Sequence, residues 1–122
     1  TLLQLNEKLK RIEENGGIKK QNEEVKNRAE YFRNKIKDLP LKLFSNLNDS
    51  SNCVSALCPT TPGVSAYKIF EVIKDEYDIW ICPNGGELSE KVFRVGHIGS
   101  ISLEEIDTLV NVFFDLQKRN LL

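Results

Sequence analysis

The chain has 122 residues, 40% of them hydrophobic and 29% charged, and a formal net charge of −1. That is the length of one domain with a modest core and an ordinary globular composition. The near-neutral charge excludes a basic field for nucleic acid or an anionic membrane surface, and no apolar run approaches the roughly 20 residues that span a bilayer.

Thr1-Leu2-Leu3-Gln4 runs straight into a charged helical pattern with no signal-peptide features, so a cytoplasmic protein is expected. The opening lacks a methionine and lies inside that pattern, which leads us to expect a piece of a longer chain. Leu2, Leu5, Leu9 and Ile12 fall at spacings of three and four and predict a first helix of about four turns. Asn15-Gly16-Gly17 ends it, because glycine accepts a left-handed cap. A second helix is predicted from Ile18 to Asp38, with Val25, Ala29, Phe32, Ile36 and Leu39 inward. Its Lys19, Lys20, Glu23, Glu24, Lys26, Arg28 and Glu30 form a solvated face. Pro40 stops it, since the residue before proline avoids the α region.

Leu41–Ser45 predicts a strand, Asn46–Asn52 a polar loop, and Cys53–Cys58 a central strand. Pro59-Thr60-Thr61-Pro62-Gly63 is a turn. Ser65 caps a third helix, Ala66–Glu76, that buries Ile69, Phe70, Val72 and Ile73. Ile79–Cys82 predicts a strand, Pro83-Asn84-Gly85-Gly86 a turn, and Lys91–Val95 a further strand. Ser102 and Glu105 make an S-x-x-E capping box. The helix it opens turns Leu103, Ile106, Leu109, Val110, Phe113 and Leu116 inward, and Lys118 and Arg119 suit its C-terminal dipole. The order ααββαββα predicts an α+β fold: an antiparallel or mixed sheet of about four strands, with helices mainly on one face. Residues 1–40 are then a helical lead-in and 41–122 the core.

The cysteines Cys53, Cys58 and Cys82 are odd in number and lack the close pairing of structural zinc ligands, so buried free thiols are expected. A zinc site would need all three and His97 to converge. The chain holds no G-x-x-x-x-G-K, G-x-G-x-x-G or H-E-x-x-H pattern. Ser55, Ser100 and Asp78 accompany His97, but no serine sits in a nucleophile elbow.

Arg94 lies inside an apolar strand pattern, sharing a face with Val92. Two readings stand side by side. It is an edge-strand cation paired with a neighbouring Asp or Glu, or a guanidinium fork offered to a carboxylate or phosphate. His97, between Gly96 and Gly99, is a plain loop residue or lines the same opening. Gly85 and Gly86 supply turn geometry and also allow close approach of another surface.

The run GGELSEKVFRVGHIG resembles the C-terminal signature of the class V, fold-type I pyridoxal-phosphate-dependent aminotransferases, especially the alanine–glyoxylate and serine–pyruvate group. There a Gly-Gly or Gly-Gln-Gly turn precedes F-R-[IV]-G-H-[MI]-G. The resemblance rests on Gly85, Gly86, Glu87, Leu88, Lys91, Phe93, Arg94, Gly96, His97 and Gly99, and the order of elements agrees over nearly the whole chain. It implies a small C-terminal domain in which Arg94 grips the substrate carboxylate while an amino group moves between an amino acid and a keto acid such as pyruvate or glyoxylate. It also implies a homodimer, and a large upstream domain holding the cofactor lysine and the other pyridoxal-phosphate ligands. This chain alone is then expected to bind no cofactor, to contain no catalytic or cofactor-binding residue or metal, and to be inactive. Glu87 after Gly-Gly departs from the commonest turn, which bears on substrate preference. The 2-aminoethylphosphonate–pyruvate transaminases are the nearest alternative; a non-catalytic α+β interaction module is the alternative of another class.

Overall fold

The computed structural model describes residues 1–122. Four helices, α1 (Leu2–Glu14), α2 (Gly17–Lys35), α3 (Ala66–Tyr77) and α4 (Leu103–Lys118), alternate with four strands, β1 (Leu41–Leu43), β2 (Val54–Pro59), β3 (Cys82–Pro83) and β4 (Phe93–Gly96), in the order ααββαββα. The sheet runs β1-β2-β4-β3, and each neighbouring pair is antiparallel. The fold is therefore α+β, and of the two sheet types expected it is the antiparallel one.

Register explains which side chains the helices cover. Leu57 faces Phe93 and Ser55 faces Val95 across β2 and β4, so these four share one side of the sheet. All four are buried, packed with residues of α2, α3 and α4 around Phe32, Phe93 and Phe113. The Phe113 ring lies 5.8 Å from Phe93 and 6.4 Å from Phe32, centroid to centroid. The inward stripes of α2, α3 and α4 hold except at Leu103, which is 47% exposed because α4 begins there at the solvent edge, and at Val25 and Val72, which are half-buried.

The strands are shorter than expected. Ile79–Ile81 lies outside the ladder because α3 ends on Asp78 in the left-handed region (φ 54°), and Ile79 N–H then donates to the Ile73 carbonyl at 3.4 Å. Trp80 turns edge-on to Phe70 at 4.9 Å. The segment packs along α3 instead of pairing, and the ladder starts only at Cys82. β1 stops at Leu43, and α2 gives way to turns after Lys35.

α1 buries none of its residues; Leu2, Leu5 and Leu9 are 81%, 56% and 53% exposed. The apolar stripe of α1 is therefore open to solvent. Gly16 joins α1 to α2 at φ 99°, a left-handed backbone that favours glycine, and a Cβ there would also make the flexible Lys20 side chain shift.

The capping box forms as expected: Ser102 Oγ accepts from Glu105 N–H at 3.2 Å and Glu105 Oε2 accepts from Ser102 N–H at 2.8 Å. Ser102→Ala should lower stability by about 1 kcal/mol, read as a shift in denaturant midpoint at constant slope.

Candidate functional site

The other side of the sheet carries no helix. Ala56 pairs with Arg94 and Cys82 with Arg94, so these three form a row across the uncovered face. Lys42 and Cys58 pair one row along. β4 is an inner strand between β2 and β3, so Arg94 is not the edge-strand cation of the first reading.

Arg94 Nη2 donates to Cys82 Sγ at 3.0 Å and to the Pro83 carbonyl at 3.2 Å. Its Nε is buried and has no acceptor. Arg94 pairs with no Asp or Glu; the chain's ion pairs all lie elsewhere. A buried donor left without an acceptor costs about 1–3 kcal/mol. The guanidinium is thus held by its Nη2 corner, while its Nε keeps an unmet hydrogen-bonding demand. Gly85 and Gly86 follow Pro83 and Asn84 and stand exposed, Gly86 with φ 60° opening a single helical turn, Gly86–Leu88.

The structure separates His97 from Arg94. His97 follows β4 in the same alternation as Phe93 and Val95, so its ring points to the helix-covered side. It is buried, 5.2 Å from the Phe32 ring. Arg33 Nε donates to Ser55 Oγ at 2.9 Å, and Ser55 Oγ lies 2.8 Å from His97 Nε2. Ser55 Oγ thus accepts from Arg33 and shares a second hydrogen bond with His97 Nε2, linking α2 to the end of β4 through one hydroxyl. Burial foremost, then the charges of Arg33 and Arg28, push the His97 pKa down to about 4. No carboxylate orients this histidine, and Ser55 is buried with it, so the pair is an internal brace and not a hydrolytic dyad.

That brace has a pH signature. The folded-state pKa of His97 lies below its ordinary value of 6.5. The unfolded chain therefore binds the proton more readily, and stability falls as pH drops from 6.5 towards 4. At about 1.4 kcal/mol per unit the loss is roughly 2–3 kcal/mol. His97→Gln should flatten this part of the stability–pH curve measured by urea unfolding.

Sequence reasoning missed Arg33 and Ser55 as a pair, because their contact spans α2 and β2. It also missed Cys82 as the partner of Arg94, although antiparallel register across a hairpin would have suggested it. The expectation of buried thiols holds only in part: all three cysteines are free, but Cys53 and Cys82 are exposed and Cys58 is half-buried. Short strand ends leave Cys53 before β2 and Cys82 on the edge strand. No three His, Cys, Asp or Glu side chains gather in a metal-ligating group.

The chain superimposes on alanine–glyoxylate aminotransferase from Nostoc sp. with a TM-score of 0.70 and 23% identity, covering 78% of this chain and 25% of that one. Ureidoglycine–glyoxylate aminotransferase from Bacillus subtilis gives a TM-score of 0.71 and 19% identity, over 80% of this chain and 26% of that one. The fold is that of an aminotransferase domain. A phosphoserine aminotransferase from Cytophaga hutchinsonii shares this domain fold, with a TM-score of 0.65 and 13% identity over 78% of this chain and 26% of that one. In sequence, 71 residues are 38% identical to the soluble hydrogenase 42 kDa subunit of Anabaena cylindrica, 58% of this chain and 18% of that one. No protein-family model matches the chain. The aminotransferase domain fold described here thus spans about a quarter of the solved enzymes it resembles.

Proposed function

We propose that the chain is the small, C-terminal domain of a class V pyridoxal-phosphate-dependent aminotransferase that moves an amino group between a small amino acid and a keto acid such as pyruvate or glyoxylate. Arg94 is its substrate-carboxylate group. The observation that carries this reading is the Arg94 guanidinium on the uncovered sheet face, with no acidic partner and a buried Nε lacking an acceptor. The signature around Arg94 and the aminotransferase domain fold support it. The Anabaena protein's name is not carried over, because the shared residues are 18% of its length.

Pyridoxal phosphate supplies the electron sink in such enzymes. The residues of this chain do not fit it. None of its lysines is buried, whereas a Schiff-base lysine works from a desolvated pocket. The cofactor and catalytic residues would belong to the remainder of the enzyme, as would the contacts of a cytoplasmic homodimer. The role of this domain is to orient the carboxylate.

The test uses the longer protein containing this chain, loaded with pyridoxal phosphate. Alanine, serine and 2-aminoethylphosphonate are offered as donors against glyoxylate and pyruvate. Turnover of the α-amino acids, with a large loss on Arg94→Gln at an unchanged cofactor spectrum, supports the reading. Turnover only of the phosphonate donor would move the chain to the 2-aminoethylphosphonate group. No transamination of any donor would leave the interaction-module reading.

A further inference from the structure

A hollow of about 510 Å³ lies beside Arg94 on the uncovered face. Lys42, Cys58 and Val92 line it, and Lys42 pairs with Cys58 one row from Arg94. Phe44, also in its wall, donates its backbone N–H to the Ala56 carbonyl at 2.9 Å. Only the small Ala56 side chain therefore stands between Phe44 and Arg94 in that row. The hollow is a continuation of the Arg94 face.

Its lining carries more positive than negative charge. Lys42 and Lys91 both line it, and neither is paired with a carboxylate. The carboxylate that also lines it, Glu90, accepts a hydrogen bond from the Ser65 hydroxyl at the start of α3 and keeps its charge, so the hollow holds a formal excess of one positive charge. Lys42 is close enough to Cys58 for its charge to oppose the upward push of burial on that thiol. Between the two cations and Arg94 the exposed apolar side chain is Phe44, with Val92 buried at the base of the hollow. Neighbouring strands are about 4.8 Å apart and same-face residues about 6.8 Å apart along a strand, so Lys42, two strands across and one row along, lies roughly 12 Å from Arg94 at the backbone, a gap its flexible stem partly closes.

We propose that this hollow is the subsite for a second oxyanion, and that the preferred ligands are dianions: acids with a carboxylate for Arg94, a short methylene spacer over Phe44 and Val92, and a further carboxylate or phosphonate for Lys42 and Lys91. The inference rests on the reading of Arg94 as a carboxylate group and extends it to acids that carry a second anionic group. Arg94 supplies the directional fork, and the two ammonium groups supply point charges that select for the second anion.

The test is an NMR titration of the isotope-labelled chain at constant ionic strength with butyrate, glutarate and 3-phosphonopropionate. At least one dianion should bind about fivefold or more tightly than butyrate, and the better one identifies the second group. In a Lys42→Gln/Lys91→Gln double variant the ratio of dianion to butyrate affinity should fall to within about twofold. Both lysines are exposed, so the fold should tolerate the change, as the dispersion of the spectrum will report. Butyrate binding with no preference for either dianion, or a preference that survives in the double variant, overturns this proposal and leaves the Arg94 reading standing. Absence of any shift at Arg94 with all three acids overturns both.

Discussion

Arg94→Gln should weaken the binding of a small carboxylate by about tenfold to a hundredfold, the 1.5–3 kcal/mol of a hydrogen bond to a charged group. In the complete enzyme the same substitution should lower kcat/KM by at least as much, since an unoriented substrate loses proximity as well as affinity. Arg94→Lys should recover only part, because an ammonium keeps the charge but not the planar fork. The melting temperature should change little. Within the chain Arg94 bonds only to Cys82 Sγ and the Pro83 carbonyl, and removing a buried donor without an acceptor relieves a cost. A structural arginine would behave in the opposite way, with lost stability accompanying lost binding.

Phe113→Ala should destabilise the domain by about 3–5 kcal/mol, a large part of the 5–15 kcal/mol typical of a folded domain. Phe113 is fully buried and is the side chain through which α4 meets both the sheet at Phe93 and α2 at Phe32. Its loss opens a cavity where three elements join. Leu5→Ala on α1 is the matched control. Leu5 is 56% exposed, so its truncation should fall within about 0.5 kcal/mol. Equilibrium urea unfolding of the two variants checks both values. Equal effects would contradict the division of the chain into a packed sheet-and-helix core and an open lead-in helix.

Much of this architecture was legible in the sequence because it rests on local rules. The 3.6-residue period placed the inward faces of α2 and α4, and the Ser102–Glu105 spacing announced a cap that forms. Period-two alternation put Arg94 opposite Phe93 and Val95, and β4 obeys it. What failed depended on contacts between distant segments. The apolar run Ile79–Ile81 has the composition of a strand, but its backbone leaves α3 through a left-handed residue and packs on that helix. His97 has the sequence setting of a loop residue, yet Arg33 and Ser55, far away along the chain, hold it inside. For the proposed site, a cation inside an apolar strand pattern singled out Arg94 and the resemblance gave it a role, while its partner Cys82 and the Lys42–Lys91 hollow emerged only from register and packing.

The most direct measurement is the Arg94 Nε–H resonance of the 122-residue chain during titration with pyruvate at fixed ionic strength. A saturable downfield shift of that signal is expected as Nε–H gains an oxyanion acceptor, with no shift on adding the neutral amide of pyruvate. An unmoved Arg94 signal at saturating pyruvate, or an equal response to the neutral amide, would contradict the assignment of this face to carboxylate binding.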